Sequence, residues 1–232
     1  MKNVFSYEDP LTYLPRQRVQ EFKKRRVIYD YQQPSDHLYA VIAGRVKITN
    51  TSEDGGQLVV RIVPAEGLFG ESVLIGGPRR TECAIALDNV TLMSWSAKEI
   101  EQQVEREPRL GLVLSQCLAR LCIDLQDRIE SMAMYKMPER VMLALLRLGD
   151  SLGTSMTDGA VRVGSLTHQA IAEYVGTSRE IVTLQLSRLR RLGLLRYSRQ
   201  HLDIYTWPMQ DMLREEGIAI GRISAERSQA AG

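Results

Sequence analysis

One segment, LTHQAIAEYVGTSREIVTLQLSRLRRLGLL, constrains the fold of this 232-residue chain more than any other. It contains two helical stretches on either side of Gly176, with the small residue Ala172 four positions before the glycine and Val182 six positions after it. A small residue lets two helices approach closely, and glycine accepts the positive φ angle of a tight turn. The layout predicts a helix-turn-helix in which apolar positions hold the second helix across the first.

The remaining face of the second helix is strongly polar. Arg179 can donate two hydrogen bonds to a guanine edge, and Glu180 can accept one from a cytosine amino group. Ser178 and Thr183 can reach phosphates or bases, and Thr177 or Ser178 can cap the helix. A helical hairpin buried in a core would explain the apolar spacing but not this polar face. The second helix is therefore predicted to enter the major groove of DNA.

Basic residues and a predicted hairpin follow the first turns of this helix. Between Arg179 and Arg199 the chain carries six arginines and one glutamate, whereas the net charge of the whole chain is +2. Such a local excess indicates an anionic partner, although each later arginine could equally be a solvated surface residue. After Gly193 the segment LLRYSRQHLDIYTW alternates like two strands, which predicts a winged helix-turn-helix whose tip carries Arg199, Gln200 and His201. The residues assigned to DNA contact are Thr167, His168, Gln169, Ser178, Arg179, Glu180, Thr183, Leu184, Ser187, Arg188 and Arg199.

Residues 16–100 predict a β-rich domain. Short β-branched and apolar runs alternate with turn segments, and Asp54-Gly55-Gly56 suits a hairpin turn. No long helical pattern separates the runs, which argues against a parallel βαβ sheet and favours a sandwich or roll. At Ser96 the pattern changes, because Ser96 and Glu99 form a capping box at the start of a helix. The predicted fold class is α+β.

A long helix is predicted from Leu110 to about Tyr135, after a break at Pro108. Its apolar residues recur in steps of four and three, with Arg128 at one intermediate position, which is the heptad spacing of a coiled-coil seam. A helix packed only on its own domain is the alternative, but so long a helix would leave an apolar stripe uncovered. The spacing therefore favours a homodimer. The predicted seam residues are Leu114, Leu118, Leu121, Leu125 and Met132.

The remaining composition argues against an enzyme, a secreted protein or a membrane protein. The N-terminal segment lacks the apolar stretch of a signal peptide, and no run of about 18 apolar residues could span a bilayer. The expected location is the cytoplasm. The three cysteines form no CxxC pair and the three histidines are scattered, so neither a metal site nor a catalytic triad is indicated.

Two motifs, FGESVLIGGPRRT and then HQAIAEYVGTSREIV, resemble the bacterial regulator family that includes the cyclic-AMP receptor protein and the fumarate-nitrate regulator (CRP/FNR). The resemblance covers roughly residues 16–207. It implies a transcription regulator, either an activator or a repressor, whose cyclic-nucleotide-binding-type β-roll senses a signal and whose long helix forms a homodimer. Its winged helix-turn-helix would bind palindromic double-stranded DNA, with RNA polymerase as a further partner. The predicted divisions are 1–107 for the roll with its flanking helices, 108–136 for the dimerisation helix and hinge, 137–208 for the DNA-binding domain and 209–232 for a partly disordered tail.

The first of these motifs raises the question of an effector. By similarity to the family's phosphate-binding cassette, Gly70 and Ser72 would contribute backbone groups to a nucleotide. Glu71 would bind a ribose hydroxyl, and Arg80 and Thr81 would bind a cyclic phosphate. The chemistry is suitable, because a guanidinium beside a hydroxyl matches phosphate oxygens.

The alternative is a tight turn without a ligand, as in relatives that use no nucleotide, with Arg80 paired to Glu71 or Glu66. Nucleotide-dependent members place a Thr-Ser pair on the long helix, and the matching positions here are Leu125 and Gln126. Gln126 could hydrogen-bond a base, but Leu125 could not. Cyclic AMP is therefore not favoured over another nucleotide or no ligand, and no cofactor is assigned with certainty.

Other departures from the family concern the operator and the sensor. Where relatives carry an arginine in the reading helix, this chain has Leu184, which could contact a thymine methyl group instead. The cysteine cluster of the iron–sulfur branch is absent. A nucleotide-processing enzyme built on the cassette would need a general base or a metal, and neither accompanies it. A nucleotide-binding regulatory protein without DNA contact would not need the winged helix.

Overall fold

The computed structural model describes residues 8–52, 55–198, 200–218 and 220. Its contacts divide the chain into two compact units, Met1–Asp124 and Leu125–Gly232. The division falls inside the long helix, and each unit has its own hydrophobic core. The predicted wing-tip residue Arg199 and the predicted disordered tail beyond Gly221 lie outside the described residues.

The described part of the first unit is built mainly from short strands. These are β1 Gln20–Phe22, β2 Val27–Tyr29, β3 His37–Ala43, β4 Val46–Thr51, β5 Gln57–Val63, β6 Leu68–Phe69, β7 Cys83–Ala86 and β8 Val90–Ser96. They form two antiparallel sheets, in the orders β1-β8-β3-β6 and β2-β7-β4-β5. Buried and less buried side chains alternate along β7, as expected for a strand with one face on a core. The predicted β-roll is confirmed.

Two helices follow the roll, α1 over Ala97–Arg106 and α2 over Arg109–Met134. The predicted capping box is present, since the Ser96 backbone N–H donates to the Glu99 carboxylate at 2.8 Å and the Glu99 N–H donates to the Ser96 hydroxyl at 3.3 Å. The beginning of α2 packs in the core of the first unit, where Leu114 is buried. Leu114 is thus a core residue of this unit, and its prediction as a seam residue is wrong because it is already buried in the cluster that contains Trp95.

The second unit combines helices with a four-stranded antiparallel sheet in the order β11-β12-β10-β9. Its elements are α3 Met137–Leu152, β9 Thr154–Ser155, β10 Val161–Gly164, α4 His168–Val175, α5 Arg179–Arg191, β11 Leu195–Tyr197, β12 His201–Ile204 and α6 Thr206–Glu215. The predicted hairpin is β11 and β12. Helix α6 continues past residue 208, where the predicted domain ends, because Met209 and Leu213, four residues apart, are buried in the core.

One buried carboxylate joins the strands of this sheet. Asp203 in β12 is 2% exposed and accepts two hydrogen bonds from Arg162 on the neighbouring strand β10, at 2.6 and 2.9 Å. Arg162, and more weakly the more distant Arg196, hold the pKa of the Asp203 carboxyl below its ordinary value. The carboxylate is therefore ionised and fixed, so the wing strands are tied to the strand that precedes α4.

Candidate DNA-reading face and effector cassette

The turn between α4 and α5 has the geometry that the sequence predicts. Gly176 adopts a φ of 76°, and its N–H donates to the Ala172 carbonyl oxygen at 2.8 Å. Val182 and Leu186 on α5 are buried in the core. Of the two predicted caps, Ser178 is the N-cap, since its hydroxyl accepts from the Ile181 N–H at 3.3 Å. The second helix is thus anchored on one face only.

The opposite face of α5 presents three of the predicted reading residues to solvent. Arg179, Glu180 and Leu184 are exposed, the last at 62%, and Arg188 is exposed one turn further on. Hydrogen bonds to the backbone N–H of Glu180 itself and to the Ser178 hydroxyl lower the pKa of the Glu180 carboxyl. Glu180 is therefore an ionised acceptor at the start of the helix, which is the form that a cytosine amino group requires.

Other predicted contact residues already have partners inside the second unit. The Thr183 hydroxyl donates to the Arg179 carbonyl oxygen and the Ser187 hydroxyl to that of Thr183, both at 2.8 Å. At the start of α4, the Thr167 hydroxyl accepts from the Ala170 N–H at 3.0 Å and caps the helix. Any contact of Thr183 and Ser187 with DNA would therefore use their remaining acceptor capacity, whereas the Thr167 hydroxyl still has a proton to donate. His168 and the exposed Gln169 follow the cap, and Gln169 donates to Glu173 at 3.1 Å.

The cassette, residues Gly70 to Thr81, surrounds a buried guanidinium. Gly70 has a φ of 85°, and a Cβ there would lie 3.0 Å from both Arg80 Nη1 and the His37 carbonyl oxygen. Arg80 is 1% exposed. Its Nη1 donates to the Gly70 carbonyl oxygen at 3.0 Å and the Ser72 hydroxyl at 3.1 Å, and its Nη2 donates to the His37 carbonyl oxygen at 2.5 Å. Only its Nε is buried without a hydrogen-bond partner.

Aromatic rings complete the surroundings of Arg80. The guanidinium carbon lies 4.3 Å from the centroid of the Tyr29 ring and 5.8 Å from that of Tyr39. Tyr39 in turn stacks on Phe69, with 5.1 Å between ring centroids. The sequence analysis missed both tyrosines, because they lie on β2 and β3, far from the cassette in sequence.

The carboxylate of the cassette has a different partner from the one predicted. Glu71 forms an ion pair with Arg61 on β5. Among the described residues, Arg80 pairs with neither Glu71 nor Glu66, so both of those predicted pairings are wrong; backbone carbonyl groups that converge on Arg80 replace them. Thr81, the last residue of the cassette, is exposed, and Gln126 is exposed in the second unit.

Comparison with known proteins matches two family models to separate parts of the chain. The family model described as "Cyclic nucleotide-binding domain" matches residues 19–107, and the model described as "Crp-like helix-turn-helix domain" matches residues 139–208. The chain is 30% identical over 178 residues to the CRP-like cAMP-activated global transcriptional regulator of Mycobacterium tuberculosis, covering 76% of this chain and 79% of that protein. The chain belongs to the CRP/FNR family of transcription regulators.

Further members of the CRP/FNR family are similar over most of this regulator. The global nitrogen regulator of Synechocystis sp. is 29% identical over 190 residues, which are 81% of this chain and 84% of that protein. A CRP/FNR-family regulator from Thermus thermophilus has a TM-score of 0.69 at 28% identity, covering 85% of this chain and 98% of that one. FixK2 from Bradyrhizobium japonicum, with a TM-score of 0.74 at 20% identity, covers 84% and 96% respectively and supports the fold alone.

Two arginines that had no role predicted from the sequence position helix α4 of this CRP/FNR regulator. Arg128, near the end of α2, is 9% exposed; it donates to the Tyr174 carbonyl oxygen at 2.9 Å and stacks on the Tyr174 ring at 4.5 Å. Arg140 on α3 donates to the Val175 carbonyl oxygen at 2.8 Å. Both guanidinium groups therefore bind carbonyl groups at the C-terminal end of α4.

The placement of Arg128 changes the predicted seam. Arg128 faces α4, whereas the adjacent Ile129, four residues after Leu125, is 66% exposed. Leu118 and Met132 are also exposed, at 36% and 39%. The exposed apolar stripe therefore runs through Ile129 instead of Arg128, and it still follows steps of four and three.

This CRP/FNR regulator also has a second basic segment that the sequence analysis missed. Residues 16–26 contain six lysines or arginines and one glutamate, a formal charge of +5 in a shorter stretch than the one after Arg179. All seven charged side chains are exposed. Outside residues 179–199 the chain is slightly acidic as a whole, so its total charge does not indicate this segment. Within the described residues there is no group of three or more potential metal ligands, and no helix is long and apolar enough to cross a membrane.

Proposed function

We propose that this regulator binds a palindromic operator as a homodimer, with one helix α5 in each of two successive major grooves, and activates transcription together with RNA polymerase. The observation that carries the proposal is the exposure of Arg179 and Glu180 on the first turn of a helix whose other face is buried. A symmetric dimer presents this turn twice, which suits half-sites about 34 Å apart. The exposed stripe through Ile129 on α2 supplies an apolar surface for the dimer.

Replacing Glu180 with alanine is expected to relax base preference at one position of each half-site. The ionised carboxylate accepts from a cytosine amino group, and its loss should cost about 1–3 kcal/mol of discrimination at that position. Selection of an operator from random DNA, followed by affinity measurements on a panel of single-base variants, tests this. Glu215→Ala, at the exposed end of α6, is the control and should leave the preference unchanged. Identical preferences for the wild type and Glu180→Ala would refute the reading role.

We further propose that the roll does not require a cyclic nucleotide for operator binding. The donor set of the cassette has suitable chemistry, since Arg80 could hold a phosphate and Glu71 a ribose hydroxyl. Each is already engaged inside the roll, however: Arg80 by three oxygen atoms and Glu71 by Arg61. A nucleotide would have to break these contacts before gaining its own, which disfavours binding.

Operator affinity measured with and without cyclic AMP, cyclic GMP and cyclic di-GMP tests this second proposal. The expected change is below about fivefold for each nucleotide, which is the lower end of allosteric coupling. Direct calorimetric titration of each nucleotide into the protein provides an independent reading. A larger gain in operator affinity with any of the three would contradict the proposal and identify the cassette as an effector site.

A further inference from the structure

His168, the first residue of α4, contacts both the reading helix and the wing. Its Nδ1 lies 2.9 Å from the hydroxyl oxygen of Thr183 on α5. Its ring meets the ring of Tyr197 on β11 edge-on, with 5.4 Å between the centroids and 78° between the planes. All three side chains are half-buried. The imidazole therefore lies where the three elements proposed to approach DNA meet.

The hydrogen bonds of Thr183 determine which nitrogen of His168 carries the proton. A threonine hydroxyl has one proton, and that of Thr183 is donated to the Arg179 carbonyl oxygen at 2.8 Å. The same oxygen must then accept from His168, so Nδ1 is protonated. In the neutral ring this leaves Nε2 with a lone pair. Among the described residues Nε2 has no hydrogen-bond partner, and it is not enclosed.

The groups around His168 favour the neutral ring in the free protein. Desolvation, and after it the charge of Arg179, lower the pKa of His168 below its ordinary value. A second cation on α5, Arg190, lies 5.5 Å from the centroid of the Tyr197 ring. Strand β11 carries the phenol of Tyr197 and the guanidinium of Arg196. No carboxylate among the described residues forms an ion pair with His168. A nearby negative charge is thus what the imidazolium form lacks.

We propose that operator binding draws one proton from solvent onto His168 of each protomer, so that Nε2–H donates to a DNA phosphate while Nδ1–H continues to hold Thr183. A neutral Nε2 presents a lone pair to the phosphate oxygen and repels it, whereas an imidazolium forms a charge-assisted hydrogen bond. His168 also positions the reading helix through Thr183. The inference rests on the proposed function, because it requires α4 and α5 to lie on DNA.

The expected signature is an operator affinity that falls as pH rises from about 5.5 to 8 at constant salt. Each unit by which DNA raises the pKa of His168 strengthens binding by about tenfold per protomer, hence about a hundredfold for a dimer. The gain is fully present below the pKa of the free protein. It is lost as pH rises through the higher pKa of the complex, because His168 is then neutral both in the free protein and on the operator.

The chain allows a clean test because it contains three histidines, His37, His168 and His201. The variant His168→Gln keeps an N–H donor for Thr183 but cannot titrate, so its operator affinity should be independent of pH in this range. His37→Gln, in the roll, is the control and should keep the wild-type pH dependence. His201→Gln, on β12, tests whether the other histidine of the second unit carries the dependence instead. NMR titration of the His168 ring in the wild type, free and bound to operator, should show a higher pKa in the complex.

Several outcomes would overturn the inference. A wild-type pH dependence that persists in His168→Gln, or that disappears in His201→Gln instead, assigns the proton to another group. If His168→Gln does not fold, an equal pKa for the wild-type ring in the free and bound states is sufficient to reject the proposal. If the protein binds no operator at any pH, the proposed function itself is contradicted, and not only the protonation of His168.

Discussion

Replacing Arg80 with methionine is expected to destabilise the roll by about 3 kcal/mol, with or without a nucleotide. Methionine keeps much of the length of the side chain but none of its donors. The carbonyl oxygen atoms of Gly70 and His37 then lose their partner, and each buried acceptor left unpaired costs about 1–3 kcal/mol. The stacking of the guanidinium on Tyr29 is lost as well. Such a result would establish a structural role for this arginine.

The unfolding of the roll can be followed separately, because the chain has two tryptophans, one in each unit. Trp95 is buried in the first unit and Trp207 is 63% exposed in the second. In a Trp207→Phe background, the fluorescence of Trp95 during urea unfolding reports on the roll alone. The matched control is Arg79→Met, since Arg79 is exposed and should change the stability by less than about 0.5 kcal/mol. Equal midpoints for both variants would rule out the structural role.

Replacing Ile129 with glutamate is expected to dissociate the proposed homodimer and, with it, high-affinity operator binding. Two copies of an exposed isoleucine would be buried across a two-fold seam, and each contributes about 1.5–3 kcal/mol when covered. The variant loses this burial twice and places two carboxylates together. A loss of about 3–6 kcal/mol corresponds to roughly a hundredfold to ten-thousandfold weaker dimer.

Sedimentation equilibrium over a range of protein concentrations measures this effect directly. The control is Ala119→Glu, which adds the same charge to the same helix at an exposed position one residue beyond Leu118 and off the heptad seam. Ala119→Glu should remain dimeric. A dimer of wild-type strength in Ile129→Glu would show that the stripe through Ile129 is not the interface.

The helix-turn-helix could be predicted from a few residues because its determinants are local. Gly176, Ala172 and Val182 lie within eleven positions, and the turn that they specify depends on contacts among those positions. The capping box at Ser96 and Glu99 is equally local. The run of short apolar segments then sufficed to predict a sandwich or roll, although it could not distinguish the two or give the order of the strands.

The environment of the cassette could not be predicted, since its partners come from distant parts of the chain. Arg80 donates to the carbonyl oxygen of His37, 43 residues earlier, and a backbone carbonyl group has no sequence signature. Glu71 finds its cation on β5, at Arg61, by strand placement. Charge complementarity in sequence therefore suggested Arg80 and Glu71 as partners, but tertiary packing separated them.

The long helix shows a similar limit. Heptad spacing identified an apolar stripe but could not distinguish Arg128 from Ile129, because adjacent residues on a helix point only about 100° apart. Which of the two belongs to the stripe depends on α4, whose last carbonyl groups attract Arg128. The sequence pattern alone contains no information about that acceptor.

The juxtaposition of Arg128 and Ile129 also has a geometric consequence. In the proposed dimer, Ile129 would fix the rotation of α2 about its axis relative to the partner protomer. The adjacent residue Arg128 binds the C-terminal end of α4. Within each subunit, two consecutive side chains would then set the direction of the two-fold contact and the orientation of α4 and α5 on DNA. The distance between the two DNA-binding surfaces would therefore depend on the rotation of α2 between residues 128 and 129.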